Sequence, residues 1–166
     1  MIYTTVCVLT IFLSQYVALE CLETTYKSCN LVTNICVHAH ADARQPIAII
    51  FPHEANLRHA LPAEESGDKY DSMDLAGLCK SPSVQALLLR DCNAAGKRSG
   101  FKSIEILQAV VLTPEEWTPQ TGLVTAAQKL QRRKIEERYR EEIKVRDSYV
   151  FVACDGQKVL LMMLYF

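Results

Sequence analysis

The chain has 166 residues, of which 49% are apolar, and its formal net charge is −1. This length suits one domain with a modest core, and the apolar content excludes a chain that is disordered throughout. The near-neutral charge removes any general electrostatic argument for nucleic acid as a partner.

The N-terminal segment, residues 1–15, contains the apolar run Val6–Leu13. The run has the length of a signal-peptide core and is too short to span a bilayer. No Lys or Arg precedes it. A secretion signal or membrane anchor is therefore one interpretation of this segment.

The seven cysteines are scattered, and no two of them form a CxxC pair. A disulfide framework usually has an even number of cysteines, and a zinc site has closely spaced ligands. The pattern favours buried free thiols in a reducing compartment.

The first predicted helix runs from Tyr16 to about Cys29, because apolar residues recur there at mostly helical spacing. Two strands follow, Asn34–Ala41 and Gln45–His53, which we expect to be joined by a tight turn. The nearly continuous apolar stretch Ile47–Phe51 predicts a central strand that is covered on both faces.

The middle of the chain predicts a short helix over 53–61 and a polar surface loop over Pro62–Asp74. A strong helix follows, with Ser81 as N-cap, Pro82 in the first turn and Gly96 as the expected end. Its apolar face carries Val84, Leu87, Leu88 and Cys92.

The last predicted elements are a strand over Ile104–Leu112, closed by Pro114, and a helix over Thr125–Lys144. The order of elements predicts a small α/β (α+β) fold, in which helices pack on a short sheet. The sequence has no GxGxxG, GxxxxGK[ST], HExxH or GxSxG motif. Such a module is more typical of an accessory domain than of a complete enzyme.

The candidate metal ligands among the histidines are His38, His40, His53 and His59. The first two would share one face of a strand and could supply half of a site. Because a metal site needs three or four convergent donors, the sequence favours ordinary surface or edge histidines.

The predicted helix Thr125–Lys144 contains seven Lys/Arg and four Glu residues. They form potential i,i+4 pairs, which predict a solvated, ion-paired helix and argue against a nucleic-acid surface. The pairs are Arg132–Glu136, Arg133–Glu137 and Arg138–Glu142. Ile135, Tyr139 and Ile143 make only a narrow apolar stripe for docking.

Lys129 has an unusual setting near the start of this predicted helix. It follows "TGLVTAAQ", in which Gly122 gives turn freedom and the neighbouring side chains are small. A long cation beside small neighbours can extend into the cleft of a partner. The alternative is an ordinary exposed surface lysine.

Two long stretches resemble one family. "YVALECLETTYKSCNLVTNICVHAHADARQPIAIIFPHE" is similar to the opening of the C-terminal lid domain of long-chain fatty-acyl-CoA synthetases, which are adenylate-forming enzymes. "VVLTPEEWTPQTGLVTAAQKLQRRKIEERYREEI" is similar to the end of the same domain. The resemblance covers about residues 16–144.

The resemblance implies a role for this lid and for Lys129. These enzymes join a fatty acid to AMP from ATP, and then pass the acyl group to the thiol of CoA, with Mg²⁺ as a cofactor. The lid rotates between the two half-reactions. Lys129 falls on the family's lysine that reaches the substrate carboxylate and the α-phosphate during adenylation.

Residues 1–15 and 145–166 do not resemble the family, and "SQYVALE" replaces its "GEYIALE", so that Ser14 and Gln15 depart from it. We expect both ends to be translated intron, although the C-terminal end also fits a hairpin around Asp155-Gly156. The lid's partner, an adenylation domain that binds ATP and fatty acid, has no counterpart here. The chain alone is therefore not expected to be active.

Two other functions stay open at this point. One is a small secreted or membrane-associated binding protein, led by Val6–Leu13, and the other is a regulatory module that mimics the lid. The resemblance implies a location in the cytoplasm or on the cytosolic face of internal membranes, and it allows association with a membrane.

Overall fold

The chain is described here from a computed structural model, which covers residues 10–12, 15–39, 45–61, 70, 72–147, 149–154 and 157–162. Within these ranges the helices are α1 Leu19–Tyr26, α2 Glu54–Ala60, α3 Leu75–Lys80, α4 Pro82–Arg98, α5 Arg132–Arg138 and α6 Arg140–Asp147. The strands are β1 Thr10–Phe12, β2 Gln15–Val17, β3 Val32–His38, β4 Ile47–Pro52, β5 Ala109–Leu112, β6 Tyr149–Cys154 and β7 Gln157–Met162.

A three-stranded sheet of order β3-β4-β5 forms the centre of the molecule. β3 pairs with β4 in antiparallel fashion, and β5 pairs with β4 in parallel. The parallel pairing needs a crossover connection, which contains α2, α3 and α4. The α/β fold class and the two predicted strands are thereby confirmed.

β4 is the central strand, as its apolar sequence predicts, and its alternate side chains enter two separate cores. Ala48 and Ile50 face the first core, which we call the helical face. Its other members include Leu22, Tyr26, Leu57, Leu78, Val84, Leu88 and Cys92.

Ile47 and Ile49 point to the opposite side. We call this side the hairpin face, because a short hairpin that begins at Leu123 packs on it. Its other members are Cys36, Ala109, Val111, Trp117, Leu123, Val124, Ile135, Tyr139 and Ile143. Covering on both sides explains why β4 contains four consecutive residues that are almost fully buried.

The structure corrects the start of the first helix and adds a helix that the sequence did not predict. The first helix begins at Leu19, because Gln15–Val17 pairs with Thr10–Phe12 as a strand. A short helix, α3, was missed before Ser81; it is capped by the Asp74 carboxylate, which accepts a hydrogen bond from Gly77 N at 2.9 Å.

The strong helix α4 exists as predicted, but it continues past Gly96 to Arg98. Gly100 follows with φ of +81°, a conformation that glycine adopts without strain and that ends the helix. Ser81 occupies the N-cap position without a capping side-chain hydrogen bond.

The predicted strand Ile104–Leu112 is only half correct. Ser103–Glu105 forms a 3₁₀ turn, and the strand begins at Ala109. The side chain of Asn93 binds both backbone groups of Leu107, at 3.0 Å each, so these groups pair with α4 rather than with the sheet. A local sequence pattern does not reveal such a distant partner.

The C-terminal strands β6 and β7 form an antiparallel hairpin, which is the arrangement that the hairpin interpretation predicts.

α6 continues to Asp147, past the expected boundary at residue 144, and Arg146 donates a hydrogen bond to Gln85. His40, the expected tight turn at 42–44 and most of the loop Pro62–Asp74 lie outside the described residues. No helix in the described ranges is both long and apolar enough to cross a membrane.

Candidate functional site

Lys129 lies in a small β-hairpin, residues 123–131, which we call the lysine hairpin. Val124 and Leu130 form an antiparallel bridge across it, and Thr125 N donates to Lys129 O at 2.9 Å. Gln128 closes the turn with φ of +58°. The prediction of a helix from Thr125 is therefore wrong, and the helix begins at Arg132.

Thr125 explains why a helix does not form here. Its hydroxyl oxygen accepts a hydrogen bond from Lys129 N at 3.1 Å, and its carbonyl oxygen accepts one from Gln128 N at 2.8 Å. Threonine side chains can compete in this way with helical hydrogen bonds. The backbone of Lys129 is thus held at both its N–H and its carbonyl oxygen.

A compact turn leads into the lysine hairpin. Thr118 and Thr121 exchange hydrogen bonds between backbone and side chain, at 3.1 Å and 3.3 Å. Gly122 follows with φ of +72°, which disfavours any residue that carries a Cβ. A Cβ there would lie 3.6 Å from Lys134 Nζ, so space is sufficient and the backbone conformation is the reason for glycine.

The base of the lysine hairpin is buried and its tip is exposed. Leu123 and Val124 are only 3% and 2% exposed, and they pack in the core of the hairpin face. Gln131 N also donates to Leu123 O, at 2.9 Å, which fixes the exit toward α5. The exposed residues are Ala126, Ala127, Gln128 and Lys129. The hairpin therefore exposes the Lys129 cation at its tip, near two alanines, while its base is fixed in the core.

A charge pair clamps the start of α5 to α1. Arg132 donates to both carboxylate oxygens of Glu23, at 2.6 Å and 2.7 Å. The side chain of Arg132 is only 20% exposed, and that of Glu23 is 10% exposed. Val37 N donates to the same carboxylate at 2.8 Å, and Val37 O accepts from Arg132 at 3.4 Å. Bidentate pairs of this kind fix direction as well as distance.

A second distant pair joins α5 to the segment after β5. Arg138 binds both carboxylate oxygens of Glu115, at 3.0 Å and 2.9 Å. Tyr139 OH donates to Glu115 at 3.1 Å and lies 2.8 Å from the hydroxyl of Thr113. Burial raises the pKa of Tyr139, so this hydroxyl keeps its proton at neutral pH.

These contacts correct the expectation of a solvated helix held by i,i+4 pairs. Arg132 and Arg138 bind residues that are far away in sequence, and Glu136 binds His38. The apolar stripe of Ile135, Tyr139 and Ile143 is confirmed, but it packs in the core of the same chain.

His38 Nδ1 lies 3.0 Å from Glu136 Oε1. This hydrogen bond lowers the pKa of Glu136, so the carboxylate is ionised at neutral pH. It accepts a hydrogen bond from the N–H group at Nδ1 of His38. The two residues line a surface depression of about 410 Å³, together with Arg133, Glu137, Arg140 and Lys144. Within the described part of the chain, no three His, Cys, Asp or Glu residues converge as metal ligands.

Sequence reasoning missed Glu23, although a signal was present. In "LECLETTY" Glu23 lies four residues after Leu19 and three before Tyr26, which places it on the apolar side of α1. A carboxylate on an apolar helical face requires a partner, because an unpaired buried charge is costly. The pattern gives no means of identifying Arg132 as that partner.

Comparison with known proteins identifies relatives for most of the chain. It is 45% identical over 129 residues to long-chain-fatty-acid–CoA ligase 1 of Schizosaccharomyces pombe, a match that covers 78% of this chain and 19% of that ligase. It is 38% identical over 121 residues to long-chain-fatty-acid–CoA ligase 4 of Saccharomyces cerevisiae, which covers 73% of this chain and 17% of that protein. This chain thus spans less than a fifth of these curated relatives. No family model matches.

Solved structures share the fold at lower sequence identity. The A-PCP didomain of a carboxylic acid reductase from Segniliparus rugosus, determined with AMP, superposes with a TM-score of 0.66 at 21% identity. That match covers 82% of this chain and 16% of the reductase chain. The adenylation domain of a Mycobacterium chelonae carboxylate reductase gives a TM-score of 0.62 at 23% identity, covering 78% of this chain and 18% of that one.

Proposed function

We propose that residues 16–144 act as the lid domain of a long-chain fatty acid–CoA ligase, because 78% of this chain matches such a ligase at 45% identity. The complete reaction would convert ATP, a long-chain fatty acid and CoA to acyl-CoA, AMP and pyrophosphate. The lid's partner is an adenylation domain that binds ATP and the fatty acid. We propose the cytoplasm, or the cytosolic face of internal membranes, as its location.

The observation that carries this proposal is the exposed Lys129 at the tip of an anchored hairpin. A lysine that acts in the cleft of another domain must project from its own domain, and it must be held accurately at its base. The lysine hairpin has both properties, since its tip is exposed and Leu123 and Val124 are buried. An ordinary solubilising lysine is also exposed, but it does not need an anchored base.

The role of Lys129 is electrostatic. Formation of the acyl-adenylate gathers negative charge around the α-phosphate, and an ammonium group placed there stabilises the transition state. Mg²⁺ would neutralise phosphate charge in the complete enzyme. Because no three metal-ligating side chains converge in the described residues, we assign no Mg²⁺ ligand to this chain.

The test is to graft residues 16–144 in place of the matching segment of the S. pombe ligase and to measure the half-reactions separately. Lys129→Ala should slow adenylation by about 10²–10³-fold, which is the usual loss on removal of one preorganised group that stabilises charge. Thioester formation from preformed acyl-adenylate should be affected much less, because the lid has then rotated.

Arg133→Ala is the matched control, since Arg133 is an exposed cation four residues after Lys129. Its loss should change the adenylation barrier by well under about 1 kcal/mol, as is usual for exposed charges. Equal damage to both half-reactions from Lys129→Ala would assign the lysine a structural role. Unchanged adenylation would make it a surface residue and would refute the proposal.

A further inference from the structure

The residues between Lys129 and Arg132 are both held by the opposite arm of the lysine hairpin. Leu130 forms the antiparallel bridge across the hairpin, and Gln131 N donates to Leu123 O at 2.9 Å. Arg132 is the next residue and begins α5. A change in the direction of Arg132 is therefore passed on to Lys129, because no free segment lies between them to absorb it.

Apolar packing fixes the depth of the hairpin better than its direction. Leu123 and Val124 are buried in the core of the hairpin face, which holds the base of the hairpin in place. Apolar contacts tolerate small rotations, whereas hydrogen bonds between planar charged groups have a preferred geometry. The direction in which the tip projects therefore depends on polar contacts close to the base.

The pair Glu23–Arg132 supplies such contacts. The Arg132 guanidinium donates to the two oxygens of the Glu23 carboxylate at 2.6 Å and 2.7 Å. Val37 N donates to the same carboxylate at 2.8 Å, so the acid is itself fixed to the outer edge of β3. Both side chains are mostly buried, which strengthens the hydrogen bonds. The pair thus ties the first turn of α5 to α1 and to β3 at once.

We propose that Glu23 and Arg132 are positioning residues, which act on adenylation by fixing the direction in which Lys129 projects. This inference rests on the adenylation role proposed above for Lys129. Glu23 and Arg132 need not touch the substrate, because their effect passes through the lysine hairpin. A misplacement of about 1 Å can slow a reaction by about 10²-fold, so a pair at the base of the hairpin can affect the rate strongly.

Arg132→Lys separates direction from charge in the ligase that carries residues 16–144. Lysine keeps a positive charge beside Glu23 but lacks the planar fork of arginine. We expect adenylation to slow by about tenfold, and thioester formation from preformed acyl-adenylate to change by less than about twofold. Arg138→Lys is the matched control, because Arg138 also binds a carboxylate through two nitrogens but is 57% exposed. It should change adenylation by less than about twofold.

The same substitution in a Lys129→Ala background tests whether Arg132 acts through the lysine. There Arg132→Lys should slow adenylation by less than about twofold, because the group that it would misplace is already absent. A merely structural role would give the same loss in both backgrounds, and that result would overturn the proposal. Unchanged adenylation in Arg132→Lys alone would also overturn it. If Lys129→Ala itself left adenylation unchanged, the proposed function would fail, and this inference would fail with it.

Hydrogen exchange in the full chain tests the positioning in the absence of an adenylation domain. The N–H groups of Lys129 and Gln131 donate within the hairpin, so their exchange reports local opening. In Arg132→Lys both should exchange at least about fivefold faster than in the native chain. The control is Leu87→Ala, which removes packing on the helical face and should change these rates by less than about twofold. Equal acceleration in both variants, or none in Arg132→Lys, would show that the pair only stabilises the fold and would overturn the proposal.

Discussion

The helical face and the hairpin face of the sheet are held together in different ways. On the helical face, the cluster around Ala48 and Ile50 is almost entirely aliphatic and aromatic. The hairpin face has a smaller apolar cluster, and distant charge pairs surround it. These pairs are Glu23–Arg132, Glu115–Arg138 and His38–Glu136.

The Glu23–Arg132 clamp joins the two faces around the edge of the sheet. β3 is an edge strand, and the clamp occupies both backbone groups of Val37 on its outer side. Apolar packing resists separation but specifies direction weakly, whereas bidentate hydrogen bonds specify direction strongly. The face that carries Lys129 is therefore the face that uses charge pairs.

The largest expected effect is the loss of packing on the helical face. Leu88 on α4 is fully buried, so Leu88→Ala should lower the free energy of unfolding by about 4 kcal/mol, through lost transfer energy and a cavity. Urea titration of the full chain measures this loss. The half-buried neighbour Leu87 is the control, and Leu87→Ala should cost clearly less. Equal losses at both positions would contradict a tightly packed helical face.

The next effect tests the clamp on the hairpin side. Arg132→Met leaves the mostly buried Glu23 carboxylate unpaired and should lower the free energy of unfolding by about 3 kcal/mol. The double variant Glu23→Gln/Arg132→Met removes that charge and keeps an acceptor for Val37 N, so it should recover at least about 1 kcal/mol.

Arg138→Met is the matched control for the clamp, because its side chain is 57% exposed in a bidentate pair with Glu115. This variant should lower the free energy of unfolding by less than about 1 kcal/mol. The same urea titration compares the three variants. If Arg132→Met cost no more than Arg138→Met, the clamp would be an ordinary surface pair and the contrast between the faces would fail.

The helical face could be predicted from sequence because its signals are local. Helical spacing in α4 and the continuous apolar run of β4 predicted both elements and their burial. The hairpin face was predicted poorly, since "TAAQKLQRR" has good helical propensity. Its conformation depends on Thr125 and on Gln128 with positive φ, which propensity does not show.

The partners on the hairpin face were also beyond sequence reasoning. Arg132 has a suitable acid at i+4, in Glu136, yet it binds Glu23, which is 109 residues away. A local i,i+4 pair stabilises a helix by only a few tenths of a kcal/mol. A bidentate pair that also binds the backbone of an edge strand stabilises the fold by more. The family resemblance, by contrast, singled out Lys129 without any knowledge of its hairpin.

The smallest expected effect concerns the pair His38–Glu136, and it is a pH dependence. The hydrogen bond from His38 lowers the pKa of Glu136 in the folded chain, so the pair stabilises the fold above the unfolded pKa of about 4.3. This stabilisation is lost as the pH falls through the folded pKa, because the carboxylate is then protonated in both states. Glu136 is 37% exposed, so solvent screening limits the effect to less than about 1 kcal/mol.

Urea titrations of the native chain and of His38→Gln, at pH values from 7 to 3, measure this dependence. Glutamine keeps a hydrogen-bond donor but not the imidazole, so the native chain should be slightly more stable above about pH 4.3. The difference should shrink toward zero near pH 3. The loss caused by Leu88→Ala should stay nearly constant over the same range, because no ionisable group is removed. If the loss caused by His38→Gln were unchanged at pH 3, His38 would stabilise the hairpin face by packing alone, and that face would depend less on charge than its contacts indicate.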